Sequence, residues 1–477
     1  MRVLLYSLTL LVLSACASLS DRAREDLEQP GLEGVRWGLV VMTMDGRELV
    51  AINPDERFLP ASNTKLFTVA AAFHRLGDMT RPDPARGTSL RLAPRAEGPP
   101  DLILVGAGDP TLIDAPDCAR DCLSDLADAL VAQGVSEIAG ITADDRLYPR
   151  ELWPPGWSHE DLMTRSGAPV SALTVNSNEM RLRVAPAATA GEPAEITWLD
   201  QAPLYAFDAN VITVDDDDAE FSVTLEPSPA QTIVRLTGAI NRTGPAVNLP
   251  VATQDPSRTA ALRLKRLLEA RGILSGLFAE TRSRTGPNAR PLEDDSVEIA
   301  RLVPPPLIED VSFLMKQSQN LHAELLLRRL GLIEGDGSRE AGLAIVEAML
   351  SEAGAPRWAW DFSDGSGMSV YNRVTPRMTA DFLLWTAKQA WGEAFRDTLP
   401  IGGVDGTLRR RFGGTALEGR IFAKTGTLRG TNALSGFMLT KSGQMLVFSA
   451  FANERPSEAG SALGALDATL VAISETN

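Results

Sequence analysis

Histidine is nearly missing from this 477-residue chain, which holds only His74, His159 and His322. Cysteine is as scarce, with Cys16, Cys118 and Cys122. So few imidazole and thiolate ligands argue against zinc fingers, iron–sulfur clusters and His-rich metal sites. No metal or cofactor is expected. Positive charge is also short: 46 Lys and Arg face 62 Asp and Glu, for a net −16. That balance repels a phosphate backbone, so no nucleic-acid partner is expected. Among the 46 cations, only residues 65, 265, 316, 388, 424 and 441 are lysine. In a chain that prefers arginine, a retained lysine marks a place where a cation that can lose its proton is useful. No segment beyond the N-terminus is long and apolar enough for a transmembrane helix.

What remains is ample for folding. At ~150 residues per domain the length suggests about three domains, and 44% hydrophobic residues suffice for real cores. Residues 1–17, MRVLLYSLTLLVLSACA, place Arg2 before an apolar run too short to span a bilayer, which is the pattern of an export leader. Leu13-Ser14-Ala15-Cys16 fits a lipobox that would leave Cys16 lipidated. Ala15-Cys16-Ala17 fits ordinary small-x-small cleavage that would discard it. Both readings export the protein, to the periplasm and, with a lipidated Cys16, to a membrane surface. Outside the cytoplasm Cys118 and Cys122, in APDCARDCLSDL, read either as a local disulfide or as two small buried thiols.

Residues 18–34 are polar and read as a tether. WGLVVMTM at 37–44, the Asp45-Gly46 turn and the return at 47–52 predict a hairpin. SNTKLFTVAAAFHRLG from Ser62 to Gly77 predicts a helix ended by glycine. Between about 82 and 304, frequent Pro and Gly separate short strand-like runs at 102–105, 138–143, 180–184, 211–214, 221–225 and 232–236. This is the composition of an inserted β-rich region. The four-Asp run at 215–218 reads as a solvated hairpin tip or a calcium loop. Helical patterns return at 308–316, 320–332, 339–353 and 376–390. Strand patterns follow at 421–428, 433–439 and 445–452, then a helix at 457–473. A hairpin near the start with three strands near the end predicts one sheet built from both termini.

Three short motifs carry chemistry. Ser62-Asn63-Thr64-Lys65 is the one S-x-x-K in the chain. At i and i+3 on a helix, the hydroxyl and the amine share a face. A buried lysine beside a helix N-terminus can shed its proton and act as a base, which arginine cannot do. Lys424-Thr425-Gly426-Thr427 lies on a predicted strand, where a cation and hydroxyls suit a carboxylate. Gly426 lets a ligand backbone approach. Ser318-Gln319-Asn320 precedes the helical run LHAELLLRRL and reads as a helix cap or as a proton-relay and amide-binding pair. There is no G-x-S-x-G, and with three histidines a nucleophile-elbow hydrolase is unsupported.

In order and spread these motifs match the S-x-x-K, S-x-N and K-T-G set of the penicillin-recognising serine enzymes. The chain resembles the low-molecular-mass class C penicillin-binding proteins, the D-alanyl-D-alanine carboxypeptidase/endopeptidases. Beyond the motifs, the resemblance rests on PASNTKLFTVAAA, LVGAGDPTL at 104–112, SALTVNSN at 171–178, SQNLHAELLLR, DGSGMSVYNRVTP at 364–376 and AKTGTLRGTNALSG at 423–436. Gln319 stands where the family usually has Asp. The resemblance implies an α/β fold: a transpeptidase/β-lactamase-like domain, an antiparallel sheet flanked by helices, from 18–82 and 300–477. A large β-rich insertion would form two nested domains, 83–107 with 191–299 around 108–190. It implies an exported serine peptidase of peptidoglycan stem peptides and cross-links, acylated on Ser62 also by β-lactam antibiotics. Lys65, held neutral by Lys424 and its surroundings, would be the base and Ser318 the relay. Asn320 would bind the substrate amide, and Lys424, Thr425 and Thr427 would bind substrate. The backbone N–H groups of Ser62 and Thr427 would form the oxyanion hole. Two alternatives remain: a β-lactamase of the same fold, which seldom carries an insertion of ~220 residues, and a non-catalytic cell-wall-binding relative.

Overall fold

The computed structural model describes residues 19–200, 205–216, 224–227, 233–275, 279–282 and 295–477. The leader with Cys16 lies outside the described residues, as do Asp217, Asp218 and residues 221–223. No helix among the described residues is long and apolar enough to cross a membrane.

The two ends of the chain build one antiparallel five-stranded sheet. Its order is Ile421–Leu428, Thr431–Leu439, Met445–Asn453, Arg36–Thr43, Glu48–Ile52. The central strands are buried along their length, because both sheet faces are covered and alternation gives way to continuous apolar runs. On one face pack the helices Lys65–Arg75, Leu307–Gln317, Asn320–Gly331, Arg339–Glu352 and Pro376–Ala387, through Phe67, Leu314, Leu327, Val346 and Phe382. On the other face lie Leu19–Leu27 and Ala462–Thr476. The expected tether at 18–34 is thus corrected. Ala23 and Leu27 are buried with Ala462, Leu466 and Leu470, the i,i+4 spacing that lets a mostly polar helix bury one stripe.

The insertion divides differently from the expected partition. Gly140–Asp144 pairs in parallel with Asp101–Val105, and Val297–Arg301 pairs with Ser89–Ala93, in a five-stranded sheet. Ala300 and Arg301 therefore stand with the insertion. Helices Leu123–Ala132 and Pro256–Glu269 cover this sheet around Leu104, Leu126 and Leu264. The inner unit is made by Glu179–Ala185, Glu195–Trp198 and Val247–Ala252 with Ala206–Val214, Thr224–Pro227 and Ile233–Asn241. They close a separate core on Met180, Leu182, Val234 and Leu236. Parallel pairs between strands this distant in sequence leave no local signal, so the boundary was not readable from composition. Asp215 and Asp216 are exposed, with Asp215 2.6 Å from Arg242.

Two bridging features tie the insertion to the helical layer. Tyr148, Val170 and Ala172 pack on Leu321 and Leu325 of the helix Asn320–Gly331. The buried Arg328 of that helix also pairs with Glu151 at 2.7 Å. The segment from about 151 to 170 thereby runs along this helix, with Glu151 at Arg328 and Ser166 at Asn320.

Candidate active site

Ser62 sits in a 3-10 turn, Ala61–Thr64, that runs directly into the helix Lys65–Arg75. The helix is apolar on almost every side because it lies between sheet and helices; Lys65 is fully buried among those apolar residues. Its Nζ donates to Ser62 Oγ at 2.9 Å, to Asn320 Oδ1 at 2.6 Å and to the Ser366 carbonyl at 2.6 Å. The turn is strained on its entry side, with Ala61 at φ +47°, a region costly for a residue with a Cβ.

Ser318 closes the helix Leu307–Gln317 in the left-handed region at φ +59°. Gln319 caps the next helix by accepting from the Leu321 N–H at 2.8 Å, so the residue that departs from the family pattern shapes the helix start. Asn320, the first residue of that helix, also donates to the Ser166 carbonyl of the insertion at 3.0 Å. Lys424, buried on the edge strand Ile421–Leu428, donates to Ser318 Oγ and to the Thr425 carbonyl, both at 2.8 Å. Thr425 Oγ1 lies 2.7 Å from Thr407 Oγ1, and Thr427 is exposed two residues along the strand. A Cβ on Gly426 would stand 2.7 Å from the Pro60 carbonyl. Only glycine lets this strand meet the turn holding Ser62 so closely.

Hydrogen bonds thus join Ser62 and Asn320 to Lys65 and join Ser318 to Lys424. The two lysines are close enough for the Lys65 charge to act on Lys424, and Thr425 and Thr427 lie on the same strand as Lys424. Cys118 and Cys122 are bridged, with Cα atoms 5.8 Å apart, away from this cluster in the loop before helix Leu123–Ala132. The pair escapes helical geometry because Asp121 turns left-handed at φ +56° between them.

Burial lowers the Lys65 amine to about 7, while the charges of Asp364 and Glu324 pull it back upward. Lys424 is also pushed well below the ordinary lysine range, by burial first and then by the Lys65 charge. Loss of hydration is the leading cause of the Lys65 shift, the part of the expectation that rested on its surroundings.

The segment from Asp364, which the sequence offered only as a resemblance without a role, completes the site. Asp364, fully buried, accepts from the N–H groups of Gly367 (2.9 Å) and Ser369 (2.6 Å), from Asn372 Nδ2 (2.6 Å) and from Trp157 Nε1 (3.0 Å). Glu324, also fully buried, accepts from the N–H groups of Gly365 (3.0 Å) and Ser366 (2.8 Å). Burial, then the Asp364 charge, raises the Glu324 carboxyl. Together these carboxylates fix the loop so that the Ser366 carbonyl faces Lys65. A Cβ on Gly367, at φ +88°, would fall 1.9 Å from the Ala61 carbonyl, so this loop also braces the turn holding Ser62. The available signal was Glu324 itself. It lies four residues after Asn320, hence on the same helix face, in an otherwise apolar stretch.

A model described as the D-Ala-D-Ala carboxypeptidase 3 (S13) family matches residues 19–471. A D-alanyl-D-alanine carboxypeptidase of Actinomadura sp. (strain R39) is 34% identical over 475 residues, covering 92% of this chain and 84% of that protein. Penicillin binding protein 4 (dacB) from Haemophilus influenzae superposes with a TM-score of 0.79 at 25% identity, covering 94% of this chain and 98% of that one. The same protein complexed with a β-lactam superposes at 0.74 and 24% identity, with the same coverage. The expected fold, a transpeptidase/β-lactamase-like domain interrupted by a β-rich insertion, accords with this match. From the family match over nearly its whole length, this chain belongs to the D-Ala-D-Ala carboxypeptidase 3 (S13) family.

Proposed function

We propose that the protein is an exported serine D-alanyl-D-alanine carboxypeptidase and endopeptidase that works through an acyl-enzyme on Ser62. The observation that carries this is the 2.9 Å contact between Ser62 Oγ and a fully buried Lys65 whose amine titrates at about 7. A neutral amine at that distance is a general base within reach of the proton it takes. Ser62 Oγ attacks the carbonyl of the penultimate D-Ala, or of a cross-link, as Lys65 accepts its proton. The N–H groups of Ser62 and Thr427 receive the oxyanion, each donor contributing about 3–4 kcal/mol. Ser318, held by Lys424, returns a proton to the leaving amine. Asn320 binds the substrate amide, and Lys424, Thr425 and Thr427 face the terminal carboxylate. Water then releases the acyl group.

Penicillins acylate Ser62 by the same steps, in keeping with the β-lactam carried by the Haemophilus protein. Residues 151–170 contact Asn320 and the Asp364 loop, so the insertion shapes the choice between stem peptides and cross-links. The leader delivers the chain to the periplasm, and lipidation at Cys16 would hold it on a membrane. Digestion of purified muropeptide monomers and dimers, with products separated by chromatography, tests the reaction. Release of D-Ala and opening of dimers are expected. Folded protein that yields neither product would overturn the proposal, and rapid nitrocefin turnover would favour a β-lactamase.

A further inference from the structure

A second constellation lies outside the Ser62 site. His322 is two residues beyond Asn320 on the same helix, so its side chain faces a different direction. Its Nδ1 is 2.5 Å from Asp310 Oδ1, on the first turn of the helix Leu307–Gln317. Its Nε2 is 3.1 Å from Ser177 Oγ, in the insertion just before the strand Glu179–Ala185. The three residues come from three separate elements. A carboxylate at Nδ1 fixes the tautomer in which Nε2 accepts, which is the arrangement that makes a serine hydroxyl nucleophilic.

Two independent features set this apart from a histidine that is merely satisfied in a core. Ser177, Asn176 and Asn178 are all left-handed, at φ +53°, +51° and +56°. Such strain in consecutive non-glycine residues persists where the surroundings hold it, often at functional sites. The triad also opens on a cavity of about 680 Å³, lined by Ser177, His322 and Asp310 together with Leu112, Phe313 and Arg181. That volume suits a small-molecule ligand. The Cys118–Cys122 bridge ties off the loop forming its rim, since Cys118 also lines the cavity.

We propose that Ser177, His322 and Asp310 form a second hydrolytic site, for carboxylic esters with a small apolar acyl group. Ser177 Oγ adds to the ester carbonyl while His322 Nε2 takes its proton, and Asp310 steadies the resulting imidazolium. Arg181 supplies a cation for the oxyanion. The tetrahedral adduct collapses as His322 returns the proton to the departing alcohol, leaving an acyl group on Ser177. Water, deprotonated by His322, then frees the carboxylic acid. The apolar surface of Leu112 and Phe313 receives the acyl chain.

The test uses full-length protein carrying Ser62→Ala, so that the first site is silent. It is treated with a fluorophosphonate, and the adduct is located by peptide mass mapping; hydrolysis of p-nitrophenyl acetate is followed in parallel. Phosphonylation of Ser177 is expected, with ester turnover that falls at least about 100-fold in Ser62→Ala/Ser177→Ala. His322→Gln should slow phosphonylation by a similar factor. Circular dichroism and thermal unfolding verify that each variant is folded. An unmodified Ser177 in folded Ser62→Ala protein, or ester turnover equal with and without Ser177, would overturn the proposal.

Discussion

Replacing Lys65, or titrating it, separates this site from an ordinary hydrogen-bonded core. The amine is buried and lowered to about 7, so roughly half is neutral at pH 7, about a tenth at pH 6 and about a hundredth at pH 5. If the neutral amine is the base for Ser62, the second-order rate of acylation by a chromogenic β-lactam should rise about tenfold per unit between pH 5 and 6.5 and flatten above 7.5. Lys65→Arg should be slower by about 10²–10⁴ at every pH, because a guanidinium keeps its proton and cannot serve as the base. Stopped-flow acylation with intact-mass counting of the acyl-enzyme reads both effects. A rate that stays flat from pH 5 to 8, with thermal unfolding unchanged across that range, would refute the assignment of Lys65 as base.

Four further outcomes follow from the same geometry. Glu324→Gln removes a charge that favours the Lys65 ammonium, so the acid limb of the acylation profile should move to lower pH; a limb that moves upward would contradict the stated electrostatics. Gly367→Ala drives a Cβ into the Ala61 carbonyl and should slow acylation by about 10²-fold through displacement of Ser62, measured against an unchanged circular dichroism spectrum. Lys65→Met should gain stability relative to wild type at neutral pH and below. Unfolding lets Lys65 recover its ordinary value of 10.5, so the burial penalty is complete below about 7 and fades as pH rises toward 10.5; denaturant titrations at pH 6 and 10 should show the difference shrinking. Arg263 is buried between Asp114 (3.2 Å) and Asp200 (2.7 Å), and Arg263→Ala should destabilise the insertion by about 3–5 kcal/mol, read as a separate early transition in calorimetry.

Much of the part built from the two ends of the chain was legible because its signals are local. The hairpin Arg36–Thr43 with Glu48–Ile52, the strands from 421 to 453 and the helices Leu307–Gln317 and Asn320–Gly331 all follow apolar periodicity and turn residues over short spans. The motif residues were legible for a different reason: lysine is so rare here that Lys65 and Lys424 stood out chemically. The Asp364 loop was matched only as a resembling segment. Its work is done by backbone groups, the Ser366 carbonyl and the N–H groups that Asp364 and Glu324 bind, and backbone chemistry leaves no residue-type signal. The helix Pro256–Glu269 was missed although Asp255 caps it and Pro256 opens it, because the surrounding Pro- and Gly-rich composition favoured strands. The parallel pairing of Gly140–Asp144 with Asp101–Val105 depends on contacts between distant segments. So does the meeting of Ser177, His322 and Asp310, which no spacing in the chain announces.

The central claim is that Ser62 is the nucleophile, and the site of penicillin attachment tests it most directly. Wild-type protein treated with penicillin and digested should carry one acyl group, on the peptide containing Ser62, and Ser62→Ala should carry none. An adduct on any other residue of the wild type, or labelling retained in Ser62→Ala, would contradict the account.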